Sequence, residues 1–134
     1  MAFRTMLDTN IVSDLIRNPA GQAAGHLGRH GPDGLCMSII SAGEIRFGAV
    51  NRGSARLHRQ IDAVLSTLAI LPIETPIDIE YGKLRAYLKA AGTPIGPNDT
   101  WIAAHALTLG VTLITHNLAE FRRVPGLALE SWLD

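Results

Sequence analysis

At 134 residues the chain has room for one domain with a real hydrophobic core and is too short to divide comfortably into two, so residues 1–134 read as a single domain. Apolar residues make up 47% and charged residues 18%, which excludes intrinsic disorder, and no apolar run approaches the ~18 residues of a membrane span. Twelve basic residues offset twelve acidic ones, so no whole-molecule charge draws the chain to nucleic acid or to a membrane surface, and any such binding has to be local.

Phe3 to Leu7 reads as a strand that ends at Asp8-Thr9-Asn10. Ile11, Leu15 and Ile16 then give a short helix stopped by Asn18-Pro19. Glycines and the turn Gly31-Pro32-Asp33-Gly34 lead to a second apolar run, Leu35 to Ser38, and Glu44 lies early in the helix that follows. Between Ala55 and Leu68, apolar residues at Leu57, Ile61, Val64, Leu65 and Leu68 repeat at three and four, the pattern of an amphipathic helix. Ile70 to Ile73 is a strand. Thr75-Pro76 supplies a cap and a first-turn proline for a helix whose buried stripe is Ile77, Tyr81, Leu84 and Leu88, closed by Gly92. Asn98 or Asp99 caps a helix through Leu109, which Gly110 ends, and Val111 to Thr115 is a β-rich run. A last short strand covers Leu127 to Leu129.

Strands alternating with helices imply βαβ units: an α/β fold with a short, mostly parallel sheet flanked by helices. Cys36 is the only cysteine, so no disulfide forms within the chain, and its apolar neighbours mark it as a small buried hydrophobe. Met1 to Leu7 lacks the apolar region of a signal peptide, so the cytoplasm is the expected compartment.

In parallel sheets, ligands bind beyond the carboxyl ends of the strands. Asp8 follows the first strand, Glu44 the second, and Asn117 and Glu120 the run ending at Thr115, while Asp99 starts a helix. Each has a structural explanation: Asp8 can cap its helix, Glu44 stands at capping-box spacing from Ser41, Asp99 suits a helix start, and Glu120 can be a surface acid. Gathered at one sheet edge, however, such acids repel and raise one another's pKa unless a cation sits among them. Oxygen donors suit Mg²⁺ or Mn²⁺, whereas zinc would call for His or Cys, and His105 and His116 do not stand at a ligand spacing. Ten of the twelve basic residues are arginine, and Arg46, Arg52, Arg56 and Arg59 fall in a stretch without an acid between Glu44 and Asp62. They form either a solvated helix face or, with Arg122 and Arg123, a surface for phosphate oxygens.

The strand leading to Asp8-Thr9-Asn10, the segment Ser38 to Gly48 containing Glu44, and Pro97-Asn98-Asp99 running into Ile102 to Ala106 together resemble the PIN-domain nucleases, and among them the VapC toxins of bacterial toxin–antitoxin pairs. Thr115-His116-Asn117, Glu120-Phe121 and Val124 to Trp132 continue the resemblance, which spans essentially the whole chain. It implies a PIN-like fold and a Mg²⁺-dependent endoribonuclease, with Mn²⁺ able to substitute, that leaves a 3′-hydroxyl and a 5′-phosphate, transfer RNA being the expected target. The acidic cluster corresponds to Asp8, Glu44 and Asp99, with Asp8, Asp99 and Glu44 as metal ligands. At the fourth position many PIN domains carry an Asp two residues after the strand-end Thr; this chain has Asn117 there, and Glu120 three residues later, so the fourth catalytic acid, and whether one or two ions bind, stay open. Thr9 and Asn10, with Ser38 and Thr115 behind them, are expected to orient ligands or water. The resemblance further implies a VapB-type antitoxin partner, a homodimer, a larger toxin–antitoxin assembly touching operator DNA through the antitoxin alone, and no membrane. The competing reading is a non-catalytic acidic pocket with a structural metal that captures a partner's arginine.

Overall fold

The computed structural model describes residues 3–133. In chain order the elements are β1 (Thr5–Leu7), α1 (Thr9–Arg17), α2 (Gln22–His30), β2 (Leu35–Ser38), α3 (Ile39–Arg52), α4 (Ala55–Leu65), β3 (Ala69–Leu71), α5 (Ile77–Ala90), α6 (Pro97–Leu109), β4 (Thr112–Ile114), α7 (Leu118–Phe121) and β5 (Leu129–Glu130). The strands form one sheet in the order β3-β2-β1-β4-β5, and every pairing is parallel.

Because successive side chains on a strand point to opposite faces, each short strand feeds two cores. Leu7, Leu35, Met37 and Ile114 pack on one face with Ile11, Val12, Ile45 and Ile61 from α1, α3 and α4. Met6, Cys36 and Leu113 pack on the other with Leu84, Leu88, Ile102, Ala103 and Phe121 from α5, α6 and α7. Both faces of the sheet are covered, as parallel sheets require. Cys36 is fully buried, as its neighbours imply.

The chain lays β2 and β3 on one side of β1 and then crosses to put β4 and β5 on the other. The order therefore reverses between β1 and β4, and the crevice beyond their carboxyl ends is where α/β sheets place ligands. Asp8 leaves β1 there and Thr115 leaves β4 beside it, the two strands being in register at Leu7 and Ile114.

Several local expectations need correction. The segment after Pro19 forms helix α2 rather than a glycine-rich connection, and only Ala23 of it is buried. Its apolar face is short, Ala23 with Ala24 and Leu27 partly buried beside it; stacking of His26 on the buried Trp132, ring centroids 5.8 Å apart, helps hold it. Ser38, not Ser41, caps α3, accepting from the Ile40 backbone N–H, so Glu44 lies one and a half turns in and is not a capping-box residue. Gly96 occupies the cap position of α6, with Pro97 first in the helix, where its missing N–H costs nothing, and Asp99 third. Pro76, not Thr75, takes the cap position of α5. Helix α4 stops at Leu65, β3 runs Ala69–Leu71, β4 runs Thr112–Ile114, and β5 is displaced to Leu129–Glu130. Tyr81 is only half-buried, stacked on Trp101 with ring centroids 3.8 Å apart.

Candidate active site

Asp8 is the first residue after β1 and the N-cap of α1, so the capping role expected of it is met at the switch point of the sheet. It is 3% exposed. One carboxylate oxygen, Oδ1, accepts from the Thr9 backbone N–H at 2.8 Å, and Oδ2 accepts from the Thr115 hydroxyl at 2.7 Å. The Thr115 hydroxyl oxygen in turn accepts from the Asn117 N–H at 3.0 Å. The end of β4 thereby clamps the end of β1. Asn10 closes the same joint from the other side, its Oδ1 accepting from the His116 N–H at 3.2 Å.

Glu44 reaches the same place from α3. Its Oε1 accepts from the Thr9 hydroxyl at 2.6 Å and its Oε2 from Asn98 Nδ2 at 3.4 Å. Thr9 thus steadies two acids at once, through its backbone N–H on Asp8 and its side chain on Glu44. Glu120, in α7, accepts from the Gly96 N–H at 3.2 Å and closely from Asn117 Nδ2. The two candidates for the fourth position are therefore bonded to each other. Glu120 also stands within hydrogen-bonding reach of Asp99.

The electrostatics follow from this crowding. Burial, then the charges of Asp8, Glu120 and Glu44, and then the bond to Glu120 push the Asp99 carboxyl up to about 7. The Asp8 carboxyl is also raised, chiefly by burial; the bonds from Thr115 and Thr9 oppose that, and Glu44 and Glu120 add to it. Asp8, Glu44, Asp99 and Asn117 line an open cleft of about 380 Å³. The structure brings the four predicted acids into mutual electrostatic range. Among the described residues, however, no three acidic, histidine or cysteine side chains are gathered tightly enough to ligate one cation as they stand.

Other predicted residues fall elsewhere. The bonds of Ser38 run to the first turn of α3 and to His105 Nδ1 at 2.9 Å. His105, within α6, is buried, and burial lowers its pKa; His116 is exposed. Arg46 pairs with Asp62 across α3 and α4, so the acid-free stretch of sequence does not leave that arginine unpaired in space. Arg52, Arg56 and Arg59 are exposed, and Arg123 donates to the Pro94 carbonyl at 3.0 Å. Sequence reasoning missed Asn98, whose signal was its place next to Asp99, and it missed Ser13 and Arg17, which continue the Thr9 face of α1 at four-residue spacing and line the cleft.

The family model described as "PIN domain" matches residues 5–127. The chain is 39% identical over 129 residues to Ribonuclease VapC1 of Haemophilus influenzae strain R2866, a match covering 95% of this chain and 96% of that protein. It is 34% identical over 128 residues to the tRNA(fMet)-specific endonuclease VapC of Salmonella typhimurium, with 95% and 96% covered. The crystal structure of VapBC2 from Rickettsia felis bound to a promoter DNA fragment superposes with a TM-score of 0.90 at 32% identity, covering 98% of this chain and 100% of that one.

Proposed function

The chain belongs to the PIN-domain family, in its VapC ribonuclease branch, and from that premise we propose that it is the endoribonuclease toxin of a VapBC-type toxin–antitoxin pair, one that uses a divalent cation to hydrolyse RNA. The observation that carries this reading is the meeting of four carboxylates at the β1/β4 switch point, with Asp99 pushed up to about 7. Such an arrangement opposes its own ionisation and is relieved by a bound cation.

The donor set fits a hard ion, since it consists of carboxylate oxygens with the amides of Asn98 and Asn117 close by. Asp8, Asp99 and Glu44 would hold Mg²⁺, or Mn²⁺ in its place. When bound, the ion lowers the pKa of water and offsets charge on the scissile phosphate. The chain's own residues prepare that chemistry. Thr115 and the Thr9 N–H fix both oxygens of Asp8, and the Thr9 hydroxyl aims Glu44. Glu120 is held by Asn117 and Gly96 beside Asp99, where its charge helps to raise the Asp99 carboxyl. A pocket that only captured an arginine would need no such geometry around Asp8, and the relatives are ribonucleases by name.

Transfer RNA is the proposed substrate class, a VapB-type antitoxin the proposed partner, and operator DNA is met through that partner. No helix among the described residues is long and apolar enough to cross a membrane, which accords with the proposed cytoplasmic setting of the single domain. Phe47 and Val50, 70% and 67% exposed and three residues apart on α3, supply apolar surface for a homodimer to cover.

The test is cleavage of total RNA with Mg²⁺, with EDTA, and by Asp8→Asn. Chelation and the substitution are each expected to reduce cleavage at least about 100-fold, by analogy with the loss of other charge-stabilising groups in active sites. Cleavage that survives both contradicts the proposal.

A further inference from the structure

The acidic cleft has one basic side chain in its wall. Arg17 lies in the last turn of α1, is exposed, and lines the same opening as Asp8, Glu44 and Asp99. Thr9, Ser13 and Arg17 form one ridge of α1, and helical side chains lean toward the helix N-terminus, here toward Asp8. The helix rises ~12 Å between Thr9 and Arg17, so the guanidinium stands at the outer end of the cleft rather than among the acids.

Although three carboxylates line the same cleft, none lies within ion-pair distance of Arg17, and among the described residues no acceptor takes a hydrogen bond from it. Arg46 is engaged with Asp62 and Arg123 with the Pro94 carbonyl, while Arg52 borders the adjoining groove but not the acidic cleft. Arg17 also borders the adjoining groove between α1, α3 and α4, floored by Ile16, Ala49, Leu57 and Ile61, so it stands where the two openings meet.

A polyanion approaching a cleft ringed by carboxylates is repelled unless a cation offsets the repulsion at the point of entry, and the net charge of the chain is zero. Resting on the nuclease reading above, we propose that Arg17 grips the RNA phosphate next to the scissile one and so holds the backbone across the cleft. The planar guanidinium can give that phosphate two parallel hydrogen bonds. The plainer account, a last-turn cation complementing the helix dipole, asks only for positive charge and not for the fork.

The experiment measures cleavage of unfractionated transfer RNA with Mg²⁺ by wild type, Arg17→Gln and Arg17→Lys across a series of salt concentrations, with thermal melts of each protein. Arg17→Gln is expected to raise KM about tenfold or more while kcat changes less, the loss typical of a charged hydrogen bond. It is also expected to flatten the dependence of log(kcat/KM) on log salt by about 0.7–0.9. Arg17→Lys should restore the salt slope and only part of KM. A dipole role alone would lower the melting temperature of Arg17→Gln and leave KM and the salt slope unchanged, which overturns the proposal. Wild-type cleavage with unaltered kinetics in Arg17→Gln removes this assignment alone; a wild type that cleaves no RNA removes the nuclease reading with it.

Discussion

Asp99 carries a conflict between folding and site chemistry. Burial and three neighbouring carboxylates push its carboxyl up to about 7, against about 3.9 in an unfolded chain. Between those values the folded protein holds a proton that the unfolded chain has released, so stability falls as pH rises from about 4 to about 7, and what is lost stays lost above that. Asp8 is shifted in the same direction and adds to the effect. In EDTA, wild type should therefore melt lower at about pH 8 than at about pH 5.5, and Asp99→Asn should gain on the order of 3–6 °C at the higher pH while losing RNA cleavage. A fall in melting temperature for Asp99→Asn at the higher pH would show that its ionised carboxylate stabilises the fold. The main acids could be singled out at this scale because Asp8 follows a strand end, Asp99 lies in the first turn of a helix and Glu44 lies in the helix after the second strand. The bond between Asn117 and Glu120 was not legible, since either side chain alone satisfied the pattern.

At the scale of elements, strands and strongly periodic helices could be read because each buries a regular set of apolar side chains: Ile77, Leu84 and Leu88 in α5, Ile61 and Leu65 in α4. Helix α2 could not be, for Gly25 and Gly28 weaken its propensity and only Ala23 of it is fully buried, with Ala24 and Leu27 partly so; contacts with α1 and Trp132 override that local signal. Helix starts were misplaced by a few residues where several cap residues compete, as at Ser38 and Ser41. Ser38 matters to the element that carries Glu44, since its hydroxyl both caps α3 and bonds buried His105. Ser38→Ala should cost about 2–3 kcal/mol in urea unfolding, one part for the cap and one for the stranded imidazole nitrogen. A loss under about 0.5 kcal/mol would mean that neither bond contributes to stability.

Across the whole molecule, the site exists only because the sheet order reverses at β1. Residues at 8, 44, 99 and 120, far apart in sequence, come from four segments that the switch between β1 and β4 brings to one edge, and no local stretch contains the site. A parallel sheet could be inferred from the alternation of strands and helices, and so could convergence, but not the strand order or the distances, which depend on how α3, α6 and α7 pack. Neutral overall charge fits a protein whose electrostatics are concentrated in one cleft, acids within and an unpaired Arg17 at the rim. The most direct test of the central claim is anomalous diffraction from crystals soaked in Mn²⁺. A peak between Asp8 and Asp99, lost in Asp99→Asn crystals, is the predicted result; a well-ordered cleft with no manganese, or manganese bound only elsewhere, would contradict the account.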